Sequence, residues 1–130
     1  MISVIMSAYN AEKTVRRAAE SILNGSYRDL ELIIADDGSS DQTYKILQQI
    51  SAEDPRCICF QNNMNKGLAY SLNKCLSLAR GEFIARMDAD DYSLPDRLKI
   101  QFDFLSRHKE FGFVGSAAYL VDHNIIYGTR

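Results

Sequence analysis

Three carboxylates fall within four residues at Asp88-Ala89-Asp90-Asp91. They follow the apolar run Phe83-Ile84-Ala85 and precede Leu94-Pro95-Asp96-Arg97, which reads as a helix start. The acids therefore stand where a buried strand runs out into a loop. Like charges this close resist simultaneous ionisation unless a cation offsets them. Asp88 and Asp90, one residue apart, point the same way from an extended backbone. Two oxygen donors on one side suit a hard divalent ion, Mg2+ or Mn2+. The same acids could instead do no more than cap the helix that follows.

The elements around this stretch alternate. Ile2-Ser3-Val4-Ile5-Met6 reads as a strand buried on both faces and ends at Ser7-Ala8-Tyr9-Asn10. Glu12 to Leu23 carries Val15, Ala18, Ala19, Ile22 and Leu23 at helical spacing, with Asn10 as N-cap and Gly25 as stop. Leu30 to Ala35 is a second strand and runs into Asp36-Asp37-Gly38-Ser39-Ser40-Asp41. Gly38 permits a tight turn there. Ser39 or Ser40 can cap a helix with the stripe Tyr44, Leu47, Ile50, which Asp54-Pro55 breaks. Cys57 to Phe60 is a third strand, followed by the polar turn Asn62 to Gly67. Leu68, Leu72, Cys75, Leu76 and Ala79 form a helix face ended by Gly81. Glu82 to Met87 is the fourth strand, and Pro95 fits the first turn of a helix that turns Leu98, Phe102 and Leu105 inward. Phe111 to Val121 reads as a fifth strand, Asp122-His123-Asn124 as a turn and Ile125-Ile126-Tyr127 as a short partner strand.

Strands alternating with helices imply an α/β fold with a mainly parallel sheet covered on both faces. Such sheets bind ligands at the carboxyl ends of their strands. Those ends carry Ser7 to Asn10, Asp36-Asp37, the Asn65-Lys66-Gly67 region and Asp88/Asp90/Asp91. This gathering of polar groups along one sheet edge argues for a site more strongly than any single motif.

Composition narrows the chemistry. At 130 residues, with 46% hydrophobic and 25% charged residues, the chain reads as one ordinary globular domain spanning residues 1–130. A net charge of −2 gives no broad field for nucleic acid. No apolar run reaches the roughly 18 residues that would span a bilayer, and the first residues do not resemble a signal peptide. The three cysteines, Cys57, Cys59 and Cys75, are odd in number and irregularly spaced, which points to a reducing compartment. Cys57 and Cys59 share a strand face, but with His108 and His123 far along the chain they read as packing rather than as half a zinc site.

The chain has no Gly-x-Gly-x-x-Gly after the first strand, no phosphate-binding Gly-x-x-x-x-Gly-Lys-Ser/Thr and no Gly-x-Ser-x-Gly elbow. The acidic stretch is no EF-hand loop, because Ser93 falls at the glycine position and Lys99 at the closing glutamate. What remains is a metal–carboxylate site beside room for an uncharged ring and a hydroxyl-rich group. Tyr9 could pack on a base and Asp37 could accept from a base N–H. A metal would neutralise a diphosphate that the aspartates otherwise repel, and would stabilise it as it departs. A nucleotide-activated donor fits that description.

The chain resembles the amino-terminal half of a family 2 glycosyltransferase with the GT-A fold. The resemblance is carried by Val4 to Asn10, Glu31 to Asp41, Asn65-Lys66-Gly67 and Ala79 to Asp91. It implies a GT-A, Rossmann-like three-layer sandwich. It implies that Ser7 and Tyr9 line a nucleoside pocket and that Asp37 binds the base edge, uracil in the common case. It makes Asp88 and Asp90 the D-x-D pair, with Asp90 holding Mn2+ or Mg2+ on the diphosphate and Asp88 reaching the ribose or donor side. Asp36 could simply cap its turn, and Asp91 the helix after Pro95. Lys66 either approaches a phosphate or is an exposed turn lysine, and Arg86 could pair with a nearby acid. The implied reaction is inverting transfer of a sugar from a nucleotide-diphosphate donor, UDP in the common case, to a saccharide or lipid-linked acceptor, as in surface-glycan synthesis. That reaction needs a general base. The resemblance places it beyond Arg130, so this donor and metal portion is expected to be inactive alone. The expected location is cytoplasmic, at or near the inner membrane face, with self-association through any apolar surface left open. The rival readings are a binding or assembly module without turnover and a D-x-D phosphatase, whose acid pair would normally end the first strand rather than the fourth.

Overall fold

The computed structural model describes the main chain of residues 1–122 and 125–129 and the side chains of residues 1–121. His123 and Asn124, read above as part of a turn, and Arg130 lie outside the described residues. The chain divides into two units, Met1–Leu98 and Lys99–Arg130.

In the first unit the apolar runs become a parallel sheet. The strands are β1 (Ile2–Ala8), β2 (Leu30–Asp36), β3 (Cys57–Gln61) and β4 (Phe83–Asp88), in the order β3-β2-β1-β4. β1 and β2 are central and almost wholly buried, which is why they read as mainly apolar runs, each broken near its start by one buried polar residue, Ser3 and Glu31. β4 stands at the sheet edge, and its residues alternate between partly buried and exposed up to Met87. Helices α1 (Val15–Leu23) and α2 (Thr43–Glu53) pack on each other and against β2, while α3 (Leu68–Leu78) packs on β1 and β2. The buried cluster under α3 is Ile5, Ile33, Ala35 and Cys75, with Phe60, Leu72 and Ala79 against it. The chain winds from β1 outward to β3 and then crosses back to β4 on the other side of β1. That reversal opens a crevice at the carboxyl ends of β1 and β4.

Several local expectations are corrected. Asn10 does not cap α1: its side chain turns to the loop after β2, and the residue before α1, Thr14, makes no side-chain cap bond. Ser39 and Ser40 do not cap α2, because Ser39 donates to Asp36 and Ser40 to Asn10. Leu68 and Leu76 lie on the exposed side of α3, and Ser71 takes the buried place instead. α3 ends at Leu78, before Gly81. Pro95 precedes rather than enters the next helix, α4 (Arg97–Arg107). In the second unit, β5 (Tyr119–Asp122) and β6 (Ile125–Thr129) form a separate antiparallel pair, so Phe111 to Val121 is not a fifth strand of the parallel sheet. Gly112 and Gly115 interrupt that run, and glycine weakens a strand interior. Within that unit Phe104, His108 and Phe111 stack, with ring centroids 4.6 Å apart for Phe104–His108 and 5.6 Å for Phe104–Phe111.

The amino end of the sheet is locked by a buried carboxylate. Glu31, on β2, accepts Ser3 Oγ at 2.6 Å, Arg80 N at 2.7 Å and Arg80 Nη2 at 2.8 Å. Ser3 Oγ in turn accepts Gly81 N at 2.7 Å. A Cβ on Gly81 would stand 2.5 Å from Ser3 N, so only glycine passes there. Burial pushes the Glu31 carboxyl upward, but the Ser3 and Arg80 hydrogen bonds outweigh it and hold the group below its ordinary value of 4.5. Stability from this network is therefore complete above that pH and lost as pH falls through the lower folded value. Glu31→Ala is expected to cost about 3 kcal/mol in urea unfolding at neutral pH, with a shallower fall in stability than the wild type between pH 5 and pH 3, each roughly. Equal stability of the two proteins at neutral pH would refute the network's role.

Candidate functional site

The loop after β1 owes its shape to the loop after β2. Asn10 sits at φ 48°, which asparagine tolerates. Its N–H donates to Ser39 Oγ at 2.9 Å, and its Oδ1 accepts Ser40 N at 2.9 Å. Ala11 N donates to Thr43 Oγ1 at 2.8 Å, and Thr43 Oγ1 donates to Asp41 Oδ1 at 2.5 Å. The stretch Asp36 to Asp41 thus fastens Tyr9 and Asn10 in place at the sheet edge.

Asp36 and Asp37 are both buried and both occupied. Asp36 accepts Gln61 Nε2 at 2.8 Å and the Ser39 hydroxyl. Asp37 Oδ1 accepts Asn62 Nδ2, Lys66 N and Ser71 Oγ, each at 2.9 Å, and its Oδ2 accepts Gly67 N at 2.8 Å. Burial raises the Asp37 carboxyl, and these donors more than reverse it, holding the group below its ordinary range. Gly38, at φ +74°, makes the turn possible: a Cβ there would lie 2.6 Å from the Met64 carbonyl carbon. Asp37 is therefore the post around which the Asn62 to Gly67 loop is wrapped. Lys66 contributes its main-chain N–H to that post, and its side chain is exposed.

At the crevice between β1 and β4 lies a cleft of about 320 Å³ lined by Ser7, Tyr9, Asn10, Ala11, Thr14, Asp88, Ala89 and Asp90. Ser7 and Asp88 are register partners at the ends of their strands. Tyr9 is 51% exposed and offers its ring at the mouth. Of the residues singled out from the sequence, Ser7, Tyr9, Asp88 and Asp90 come together here. Asp37 and Lys66 are not among the residues that line this cleft.

The acids are already attended. Arg86 Nη2 donates to Asp88 Oδ1 at 2.8 Å, with both side chains about half exposed. Arg97 Nη2 donates to the Arg86 carbonyl at 3.1 Å, and its Nη1 lies 3.2 Å from Met87 Sδ. Arg17 Nη2 reaches the Asp90 carbonyl at 3.4 Å. Asp91 N closes the turn on Asp88 O at 3.3 Å. Burial raises the Asp91 carboxyl, Asp90 and Asp88 push it further, and Arg97 and Arg86 oppose them. Among the described residues no group of three or more His, Cys, Asp or Glu side chains forms a ready metal cage. Asp88 and Asp90 do fit an ion of the Mg2+ or Mn2+ kind, which takes one or two carboxylates and completes its shell with phosphate oxygens and water. The cysteines play no part in this region: burial pushes Cys57 up to about 12 and Cys75 to about 11, leaving protonated thiols that pack. The arginine partners of the acids, apart from Arg86, and the post-like role of Asp37 were missed in the sequence. The only signals there were the position of Arg97 two residues after Pro95 and the polar turn that begins 25 residues after Asp37.

Known proteins resemble this chain in sequence and in fold. The chain is 45% identical over 130 residues to a Bacillus subtilis (strain 168) protein named as glycosyltransferase EpsE, covering 99% of this chain and 47% of that one. Its fold matches Staphylococcus aureus TarS 1-349 in complex with UDP-GlcNAc, with TM-score 0.77 and 30% identity over 83% of this chain and 32% of that one. It also matches the mannosyltransferase PcManGT from Pyrobaculum calidifontis in complex with GDP-Man and Mn2+, with TM-score 0.75 and 26% identity over 81% of this chain and 32% of that one. The chain thus spans about half the length of EpsE and a third of each solved chain. The α/β sheet is that of the GT-A glycosyltransferases. Residues 3–126 match the family described as glycosyl transferase family 2, and the chain belongs to that family.

Proposed function

We propose that this chain holds the nucleotide-diphosphate sugar donor of an inverting glycosyltransferase that uses a divalent ion. One observation carries the reading: the cleft at the β1/β4 reversal point unites an aromatic ring, a strand-end hydroxyl and two carboxylates. Tyr9 packs on the base, and Ser7 lines the nucleoside side. Asp88 accepts from donor hydroxyls. Asp90 holds the ion, whose charge stabilises the departing diphosphate. Asp37 serves the base subsite by fixing the Asn62 to Gly67 loop, and Lys66 stands by to approach a phosphate. UDP is the preferred nucleotide by resemblance, and the acceptor is a saccharide or a lipid-linked sugar. The transfer also needs a base to deprotonate the acceptor hydroxyl. The presence of UDP-GlcNAc and of GDP-Man with Mn2+ in the two structural relatives supports the donor class.

A calorimetric screen of UDP, GDP and dTDP in the presence of Mn2+ tests the reading. Saturable binding of UDP, tighter than that of the other two, is expected. Silence from all three in a folded sample would overturn it.

A further inference from the structure

Tyr9 supplies the aromatic ring of the cleft, yet that ring has no anchor of its own. It is 51% exposed, and among the described residues its side chain makes no hydrogen bond or ring contact. Its direction is therefore set by the main chain on either side. The carbonyl of Ala8, the last residue of β1, accepts Asp37 N at 2.8 Å. Asn10 stands in the left-handed region at φ 48°, and a residue other than glycine keeps that conformation only where its surroundings over-determine it. They do so here: Asn10 N donates to Ser39 Oγ at 2.9 Å, and Asn10 Oδ1 accepts Ser40 N at 2.9 Å. The tie continues into the sheet. Ser39 Oγ accepts from Asn10 and gives its one proton to Asp36, so the hydroxyl is used on both sides. Asp36 is fully buried, and its Oδ2 also accepts Ser39 N at 3.2 Å and Gln61 Nε2 at 2.8 Å. Gln61 is the exposed last residue of β3 and the register partner of Asp36. A relay thus crosses three strand ends, from Gln61 through Asp36 and Ser39 to Asn10, and finishes beside Tyr9. Gln61 and Ser39 do not line the cleft, so their effect on a ligand there is indirect.

We propose that Asn10, Ser39 and Gln61 are positioning residues of the donor site: their relay through Asp36 holds the Tyr9 ring in the orientation in which a nucleoside base packs on it. The inference rests on the donor reading above. A ring already held in place loses little freedom when a base settles on it, whereas a swinging ring must be ordered at the expense of affinity. The relay also gives Gln61, two strands away from β1, control over a residue that it does not touch.

The chain has no tryptophan, so Tyr9→Trp places a single fluorescent reporter at the mouth of the cleft. The test is the anisotropy decay of that indole, without nucleotide, in Tyr9→Trp alone and combined with Ser39→Ala, Ser39→Thr or Gln61→Met. Gln61 is exposed, so its variant is expected to fold even if Ser39→Ala does not, and thermal unfolding checks each protein. The fast local motion of the indole is expected to widen in Ser39→Ala and Gln61→Met, and to stay at the parent level in Ser39→Thr, which keeps the hydroxyl. With Tyr9 restored, Ser39→Ala is expected to bind UDP at least about tenfold more weakly than the wild type, with Ser39→Thr close to it. A relay that served stability alone would lower the melting temperature and leave the indole motion as it was. An unchanged decay in either folded variant, Ser39→Ala or Gln61→Met, would overturn the inference. Because the decay is read without nucleotide, this outcome is separable from failure of the donor reading, in which UDP does not bind the wild type.

Discussion

Asp37→Ala is expected to destabilise the nucleotide-free protein by about 3 kcal/mol. The Asp37 carboxylate is only 3% exposed, and the side chains of Asn62 and Ser71 and the N–H groups of Lys66 and Gly67 all donate to it. Each buried donor left without an acceptor costs roughly 1–3 kcal/mol. The total stays well below the sum, because Lys66 stands at the surface and water can reach its N–H. A residue whose only task was to touch a base would behave in the opposite way, with stability unchanged or improved by its removal. Urea unfolding without nucleotide separates the two cases. A loss within about 0.5 kcal/mol of zero would show that the loop does not depend on this carboxylate. The same bonds make the effect pH-dependent. The folded carboxyl lies below its ordinary value, so its contribution is complete at neutral pH and disappears as pH falls through the folded value.

Asp90→Ala is expected to do the reverse: leave stability within about 0.5 kcal/mol and weaken metal-dependent donor binding at least about 100-fold. Asp90 is exposed, and the bond that the structure gives it, from Arg17, is to its main-chain carbonyl, which alanine keeps. Its side chain lines the cleft and is not part of any described network that holds the fold. The pair of variants therefore splits the acids of this chain into one that builds the protein and one that meets the ligand.

That split was not legible in the sequence. The buried strands were, because Ile2 to Met6 and Leu30 to Ala35 are short, mainly apolar runs rich in β-branched residues and followed by polar turns. So was the convergence of Ser7, Tyr9, Asp88 and Asp90, which follows from the parallel topology alone. Hidden were the partners, since the Asp37, Asn10 and Glu31 bonds join residues 25 to 49 positions apart in the chain and no local pattern announces them. Caps failed for the same reason. Asn10, Ser39 and Ser40 have the chemistry of helix caps, but bonds between the two loops claimed them first. The stripe on α3 misled because Leu68 and Leu76 are apolar yet lie on the side that α3 leaves exposed. Ala79-Arg80-Gly81 belongs to the resemblance but serves the buried Glu31 at the amino end of the sheet, away from the cleft.

The claim on which the rest depends is that the cleft holds a nucleotide diphosphate through an ion on Asp90. Calorimetric titration of UDP, with and without Mn2+, into wild type and Asp90→Ala tests it most directly. Binding to the wild type that requires Mn2+, and that disappears in an Asp90→Ala protein with an unchanged melting temperature, is the predicted result. UDP binding of equal strength without Mn2+, or in Asp90→Ala, would contradict it.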